Sequence, residues 1–134
     1  MMRYVRGPEL LAALETLSGR IDPSGLQAVV GIKRSGLFPA VFLSHRLGLP
    51  MFVDAEVGEI PARLERVLLV DAVVRTGRSL ERVRRRLLRR GKRVTTAVLY
   101  KENGSAHPVD HFLEVHTDLV HFFYERLRWT PSET

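Results

Sequence analysis

The chain has 134 residues, of which 45% are hydrophobic and 27% are charged. These values fit one globular domain, residues 1–134, with a single core, and they exclude a chain too polar to fold. No apolar run approaches the roughly 20 residues that cross a bilayer, so we expect a soluble, cytoplasmic protein without a membrane partner. The absence of cysteine excludes disulfides, thiolate metal ligands and a cysteine nucleophile.

The formal net charge of +6 predicts attraction to anions, which are phosphorylated metabolites, nucleic acid or an acidic membrane surface. Much of the excess lies between residues 75 and 93, where Glu81 is the one acid among many arginines. Two interpretations of the basic helix 82–93 are open. It is a solvated helix face with Val83, Leu87 and Leu88 turned to the core, or it is a surface that binds nucleic acid.

The predicted elements alternate between helix and strand along most of the chain. Apolar residues at helical spacing after Gly7 and Pro8 predict an opening helix that ends near Gly19. Short, apolar, β-branched runs predict buried strands, and the intervening runs predict helices. The strands are 28–32, 51–53, 66–71 and 93–100, and the helices are 37–47 and 79–90. Residues 110–115 are a further candidate strand, and residues 118–129 fit a strand or a helix.

This alternation predicts an α/β fold of three layers, with a mainly parallel sheet of four or five strands. Ligands bind such sheets at the carboxyl ends of the strands. The strongest local pattern lies at such an end. The apolar run 67–70 leads to Asp71, Thr76 and Gly77 follow in a turn, and Ser79 opens a helix. The free N–H groups and hydroxyls of this turn predict an anion site.

The stretch 67–79 resembles the phosphoribosyl-diphosphate motif of the type I phosphoribosyltransferases. Residues 29–40, continuing to Pro50, resemble that family's diphosphate-binding loop and the helix after it. Residues 98–101 and 109–112 resemble the base-binding end of the bacterial purine members, which act on xanthine, guanine and hypoxanthine. The three stretches occur in the family's order and cover roughly Ala28 to Tyr124. The resemblance implies the family's three-layer fold. It also implies a phosphoribosyltransferase-like protein that binds phosphoribosyl diphosphate or a nucleoside 5′-monophosphate.

The resemblance also implies a role for individual residues. Asp71 would contact the ribose hydroxyls of the ligand. The 5′-phosphate would be held by Arg75, Thr76, Gly77, Arg78 and Ser79, and the diphosphate by Lys33, Arg34, Ser35 and Gly36. The base would be met by Lys101, Leu119 and Val120. A lysine that donates to a 6-oxo group would reject a 6-amino base, because two donors would then face each other.

The chain departs from the family pattern at three places. Ala72 stands where the family has a second acid, and Arg75 stands where many members carry an acid that manages a proton of the base. The aromatic residue that stacks on the purine corresponds to Leu119, unless one of residues 122–124 replaces it. Residues 52–66 are too few for the family's long flexible hood, which would leave the reacting sugar open to water.

Two functions follow, and enzymatic activity is left open between them. The first is transfer of a phosphoribosyl group from phosphoribosyl diphosphate to a 6-oxopurine, with Mg²⁺ carrying the diphosphate charge. The second is a non-catalytic regulator that senses nucleotides or binds RNA. No metal ligands are predicted from the protein, because the spacing of its histidines lacks the pairing typical of zinc sites. We expect a homo-oligomer from the resemblance and from the aromatic residues 122–124.

Overall fold

A computed structural model describes residues 2–102, 107–116 and 119–125. In chain order its elements are β1 (Met2–Val5), α1 (Gly7–Arg20), β2 (Ala28–Gly31), α2 (Leu37–Leu47), β3 (Met51–Val53), a 3-10 helix (Asp54–Glu59), β4 (Arg66–Val74), α3 (Arg78–Arg89), β5 (Arg93–Glu102), β6 (Glu114–His116), β7 (Leu119–Phe122) and a 3-10 turn (Phe123–Glu125). Within these ranges, no helix combines the length and the apolar character that a membrane crossing requires.

The main sheet confirms the predicted architecture. Its five strands are all parallel and lie in the order β3-β2-β4-β5-β6. The apolar runs of β2 and β4 are buried because helices cover both faces of the sheet. One core cluster joins the sheet to α1 and α2 and includes Leu14, Leu43 and Leu68. The other joins it to α3 and the 3-10 helix and includes Leu69, Val57 and Leu87.

A second, two-stranded sheet was not predicted. β1 pairs in parallel with β7, so that Met2 lies opposite Leu119 and Val5 opposite Phe122. This pairing resolves residues 119–122 of the ambiguous segment as a strand, and residues 126–129 lie outside the described ranges. Phe122 is fully buried in this chain's own core. Its burial therefore gives no reason to expect a second copy, and homo-oligomerisation stays a prediction.

The predicted end of the strand 66–71 is wrong. β4 continues beyond Asp71 to Val74, because its pairing with β5 continues through Val73 opposite Tyr100 and Val74 opposite Lys101. Asp71 thus lies inside the strand, and the loop between β4 and α3 is only residues 75–77. This short loop places the first turn of α3 directly at the carboxyl end of β4.

The basic helix is partly tied to its own chain. Arg86 donates to the Asp54 carbonyl at 3.2 Å, and Arg90 donates to the Gly58 carbonyl at 2.8 Å. Lys92 is only 5% exposed, and its ammonium donates to the Pro61 carbonyl at 2.8 Å. These bonds hold residues 54–61 against α3 and the residues that follow it. Residues 54–61 belong to the segment that is too short for the family's flexible hood.

The core-facing stripe of α3 differs from the predicted one by one residue. Leu80, Val83 and Leu87 are buried at i, i+3 and i+7, as a helix packed on one side requires. Leu88, which was expected in the core, is 43% exposed. The helical rotation of about 100° per residue carries it off the stripe.

Gly36 is expected to be intolerant of a side chain. A Cβ there would lie 2.5 Å from the Ile32 carbonyl oxygen and 2.9 Å from that of Val70, both of them backbone atoms that cannot move aside. We expect Gly36→Ala to lower the free energy of unfolding by about 1–3 kcal/mol, measured by urea denaturation. Gly19→Ala is the control, because α1 leaves open space there and alanine should stabilise that helix by about 0.5–1 kcal/mol. Equal stability of Gly36→Ala and the native chain would contradict the close packing of α2 on β4.

Candidate nucleotide-binding site

A cavity of about 360 Å³ lies where the carboxyl ends of β2 and β4 meet the start of α3. Its walls come from three segments that are distant in sequence. They are residues 33–35 after β2, residues 71–80 from β4 into α3, and Val120, Phe122 and Glu125 in and after β7. The structure thus brings together the predicted phosphate, ribose and diphosphate residues, along with Val120 from the predicted base site. Gly36 closes the loop against β4 without lining the cavity.

The phosphate loop has the geometry of an anion site. Gly77 has φ +81°, a left-handed conformation that favours glycine, and α3 begins at the next residue. The first N–H groups of a helix have no partner inside the helix, and the helix dipole makes that end positive. The Thr76 hydroxyl accepts from the Arg78 amide at 3.3 Å, which shapes the turn. His107 packs so tightly on Gly77 that a Cβ would come within 2.4 Å of its ring.

The loop after β2 is anchored on both sides. The Lys33 amide donates to the Asp54 carboxylate at 3.1 Å. The Tyr124 hydroxyl donates to the Ser35 carbonyl at 2.7 Å, and the Ser35 hydroxyl bonds to the Glu125 carboxylate. The Lys33–Arg34 peptide bond is cis. The side chains of Lys33 and Arg34 are exposed at the cavity.

Sequence reasoning missed the anchoring residues Asp54 and Glu125, and it considered Tyr124 only as a stacking or interface residue. No local motif marks any of them. Burial raises the pKa of Tyr124 above its ordinary value, helped by the nearby carboxylates, so its hydroxyl stays a donor at ordinary pH. The one sequence signal for Tyr124 was the aromatic character of the ambiguous segment 118–129. It suggested that this segment packs against the core, but it did not indicate that the segment contacts the loop after β2.

Asp71 is a half-buried ionisable group at the wall of the cavity. Burial raises its pKa from 3.8 to about 7, and the negative charges of Asp54 and Glu125 add to the rise. The Ala72 amide, which donates to it at 2.8 Å, and the Arg75 charge oppose the rise. At neutral pH the carboxyl is therefore divided between its two forms. It accepts from a ligand hydroxyl when ionised and can donate when protonated.

The predicted base-site residues are divided by the structure. Val120 lines the cavity, and Leu119 lies in β7, but its side chain is outside the described part of the chain. Lys101 lies opposite Val74 on β5, with its ammonium 5.4 Å from the centre of the Phe112 ring, and it does not line the cavity. Arg75 does line it, and its Nε donates to Glu102 at 2.7 Å.

The side chains near the cavity that could hold a metal ion are carboxylates. Over the described ranges, no group of three or more histidine, aspartate or glutamate side chains is placed to hold a metal ion. Asp71, Asp54 and Glu125 influence one another through charge, but Asp54 and Glu125 are already engaged by the loop after β2.

No protein-family model and no curated protein sequence matches the chain. Solved structures do match. The xanthine-guanine-hypoxanthine phosphoribosyltransferase of Helicobacter pylori is 24% identical, with a TM-score of 0.84 over 93% of this chain and 94% of that one. A purine phosphoribosyltransferase of Pyrococcus horikoshii Ot3 is 23% identical, with a TM-score of 0.81 over 96% and 97%.

A third match is a hypothetical protein of Neisseria gonorrhoeae whose crystal structure contains bound ppGpp. It is 19% identical to this chain, with a TM-score of 0.78 over 95% of this chain and 92% of that one. All three matches extend over nearly the whole of both chains, so they concern the complete arrangement of sheet and helices and not a shared motif. The chain therefore has the fold of the type I phosphoribosyltransferases.

Proposed function

We propose that the chain binds a ligand carrying a 5′-phosphoribosyl group, either phosphoribosyl diphosphate or a nucleoside 5′-monophosphate. The observation that carries this proposal is the single cavity that unites the N-terminus of α3, the Asp71 carboxyl and the loop after β2. A phosphorylated sugar needs donors for its phosphate and an acceptor for its hydroxyls, and these groups supply both. The two matching purine phosphoribosyltransferases support the same ligand class.

Each group has a distinct task in this proposal. The amides of Gly77 and Ser79, with the Thr76 and Ser79 hydroxyls, hold the 5′-phosphate against the positive end of α3. Asp71 bonds the ribose hydroxyls. Lys33 and Arg34, exposed at the other end of the cavity, meet the second anionic group of phosphoribosyl diphosphate.

The reaction we propose for this site is transfer to a 6-oxopurine. The bond from C1′ to the diphosphate oxygen breaks, diphosphate leaves with the electron pair, and a base nitrogen bonds to C1′ and releases its proton to solvent. Mg²⁺ would neutralise the leaving diphosphate. The donor set fits a metal that arrives with the ligand, since Mg²⁺ is typically bound by one or two carboxylates and substrate phosphates. Of the carboxylates of Asp71, Asp54 and Glu125, that of Asp71 is not engaged by the loop after β2.

A second candidate is a non-catalytic nucleotide sensor. Arg75 lines the cavity at the position where many members of the family carry an acid, its Nε is bonded to Glu102, and it cannot accept a proton from the base. Residues 54–61 are bonded to Arg86 of α3 and to Arg90 and Lys92 just after it, which opposes their closing over the sugar. The ppGpp bound by the Neisseria gonorrhoeae protein gives a relative of this shape a nucleotide ligand.

Calorimetric titration tests the ligand class that both candidates share, and a transfer assay separates them. We expect GMP to bind at least about tenfold more tightly than guanosine, because the 5′-phosphate supplies the main contacts. Incubation with phosphoribosyl diphosphate, guanine and Mg²⁺, followed by chromatography, then tests transfer. Formation of GMP establishes the enzyme, whereas GMP binding without product contradicts transfer to guanine and supports the sensor. Equal affinity for GMP and guanosine would contradict both.

A further inference from the structure

A second cavity lies on the other side of the phosphate loop. Its volume is about 540 Å³, and it shares Thr76, Gly77 and Arg78 with the nucleotide-binding site. The rest of its wall comes from α3 and from the residue that packs on Gly77. These residues are Glu81, Arg82, Arg85, Arg86, Arg89 and His107. We call it the arginine groove. Its size is that of a small-molecule site.

Four exposed arginines run along the groove in one row. Arg78, Arg82, Arg85 and Arg89 are separated by four, three and four residues, which places them on the same side of a helix. At a rise of 1.5 Å per residue, the row is about 16 Å long. A chain of several phosphates can therefore contact more than one guanidinium at once.

The charge of the row is poorly balanced by the protein itself. Among the described residues, Glu81 is the one acid on the groove wall, and it pairs with both Arg84 and Arg85 at 3.1 Å. Like charges at i and i+4, such as Arg78 with Arg82 and Arg85 with Arg89, repel each other along a helix. An anion in the groove would remove this repulsion.

We propose that the arginine groove is a second ligand site that takes an oligophosphate, separate from the 5′-phosphate in the first cavity. Guanidinium groups bind phosphate oxygens through two parallel N–H bonds, so a row of them suits consecutive phosphates. This second site goes beyond the proposed function. Its ligand would lie on the opposite side of residues 76–78 from the nucleotide.

The composition of the wall favours a small oligophosphate over a nucleic acid strand. Proteins that bind single strands stack the bases on aromatic side chains beside a basic track. In the part of the chain that the structure describes, the groove wall includes no phenylalanine, tyrosine or tryptophan. Apart from the His107 ring, which packs on Gly77, the wall offers charged groups for phosphates and little surface on which bases could stack.

Tripolyphosphate is the probe that tests this site. We expect Arg85→Gln/Arg89→Gln to weaken its binding at least about tenfold, which corresponds to about 1.4 kcal/mol. Arg6→Gln/Arg93→Gln is the matched control, because it removes two exposed positive charges outside the groove and should change affinity less than about twofold. Equal weakening in both variants would show attraction by net charge alone and overturn the proposal.

Three further measurements on the same proteins separate this site from its rivals. GMP affinity should be unchanged in Arg85→Gln/Arg89→Gln, and saturating GMP should leave tripolyphosphate binding in place. Competition between them would overturn the proposal by merging the two sites. Single-stranded RNA bound more tightly than tripolyphosphate, with the log–log salt slope of about −3 that four contacted phosphates give, would overturn it in favour of nucleic acid. Failure of GMP to bind the native chain would contradict the proposed function and leave the groove standing.

Discussion

Gly77→Asp is expected to reduce the affinity for GMP by at least about 100-fold, or about 2.7 kcal/mol. The aspartate would have to adopt φ +81°, and its Cβ would lie 2.4 Å from Cγ of His107. Its carboxylate would also enter the loop that is proposed to hold the phosphate, so charge repulsion adds to the displacement. Calorimetric titration with GMP at constant salt measures the effect.

Gly91→Asp is the control for this change. Gly91 has φ +79° and ends α3, but a Cβ there meets nothing within 4 Å. Both variants carry the cost of a positive φ and the same added charge, while only Gly77→Asp alters the phosphate loop. We expect Gly91→Asp to bind GMP as the native chain does. If Gly77→Asp also bound GMP with native affinity, the phosphate would have to be held elsewhere.

Asp71→Asn is expected to stabilise the protein at high pH. The folded-state pKa of Asp71, about 7, lies above its ordinary value of 3.8. The folded protein thus holds this proton more tightly than the unfolded chain does. The free energy of unfolding should fall as pH rises from about 4 to about 7 and then level off. Asparagine keeps the acceptor for the Ala72 amide and carries no charge, so it should escape this fall.

The expected gain at pH 8 is about 2 kcal/mol, and the gain should vanish near pH 4. One pKa unit corresponds to about 1.4 kcal/mol, and partial solvent access reduces the full value. Urea denaturation at pH 4, 6 and 8 measures it. Asp22→Asn is the control, because a bond from the Ser24 amide lowers the pKa of that exposed carboxyl. It should bring no gain at pH 8. Parallel pH profiles for Asp71→Asn and the native chain would contradict the raised pKa.

Local patterns in the sequence determined the layers of the fold and the position of the phosphate loop. The apolar runs of β2 and β4 predicted strands covered on both faces, and the structure buries them on both. The turn through Thr76 and Gly77 predicted the start of a helix within one residue of its observed place. These features are set by neighbours within about one or two helical turns, so periodicity and turn chemistry are enough to find them.

The tertiary structure alone decided which distant residues complete the cavity. The pairing of β1 with β7 joins Met2 to Leu119, and the loop after β2 depends on Tyr124 and Glu125. The raised pKa of Asp71 arises from burial and from carboxylates on two other segments. It also decided which basic residues hold residues 54–61 and which line the arginine groove. Such contacts join residues far apart in sequence, and they form only when the sheet brings its strand ends together, so no local pattern encodes them.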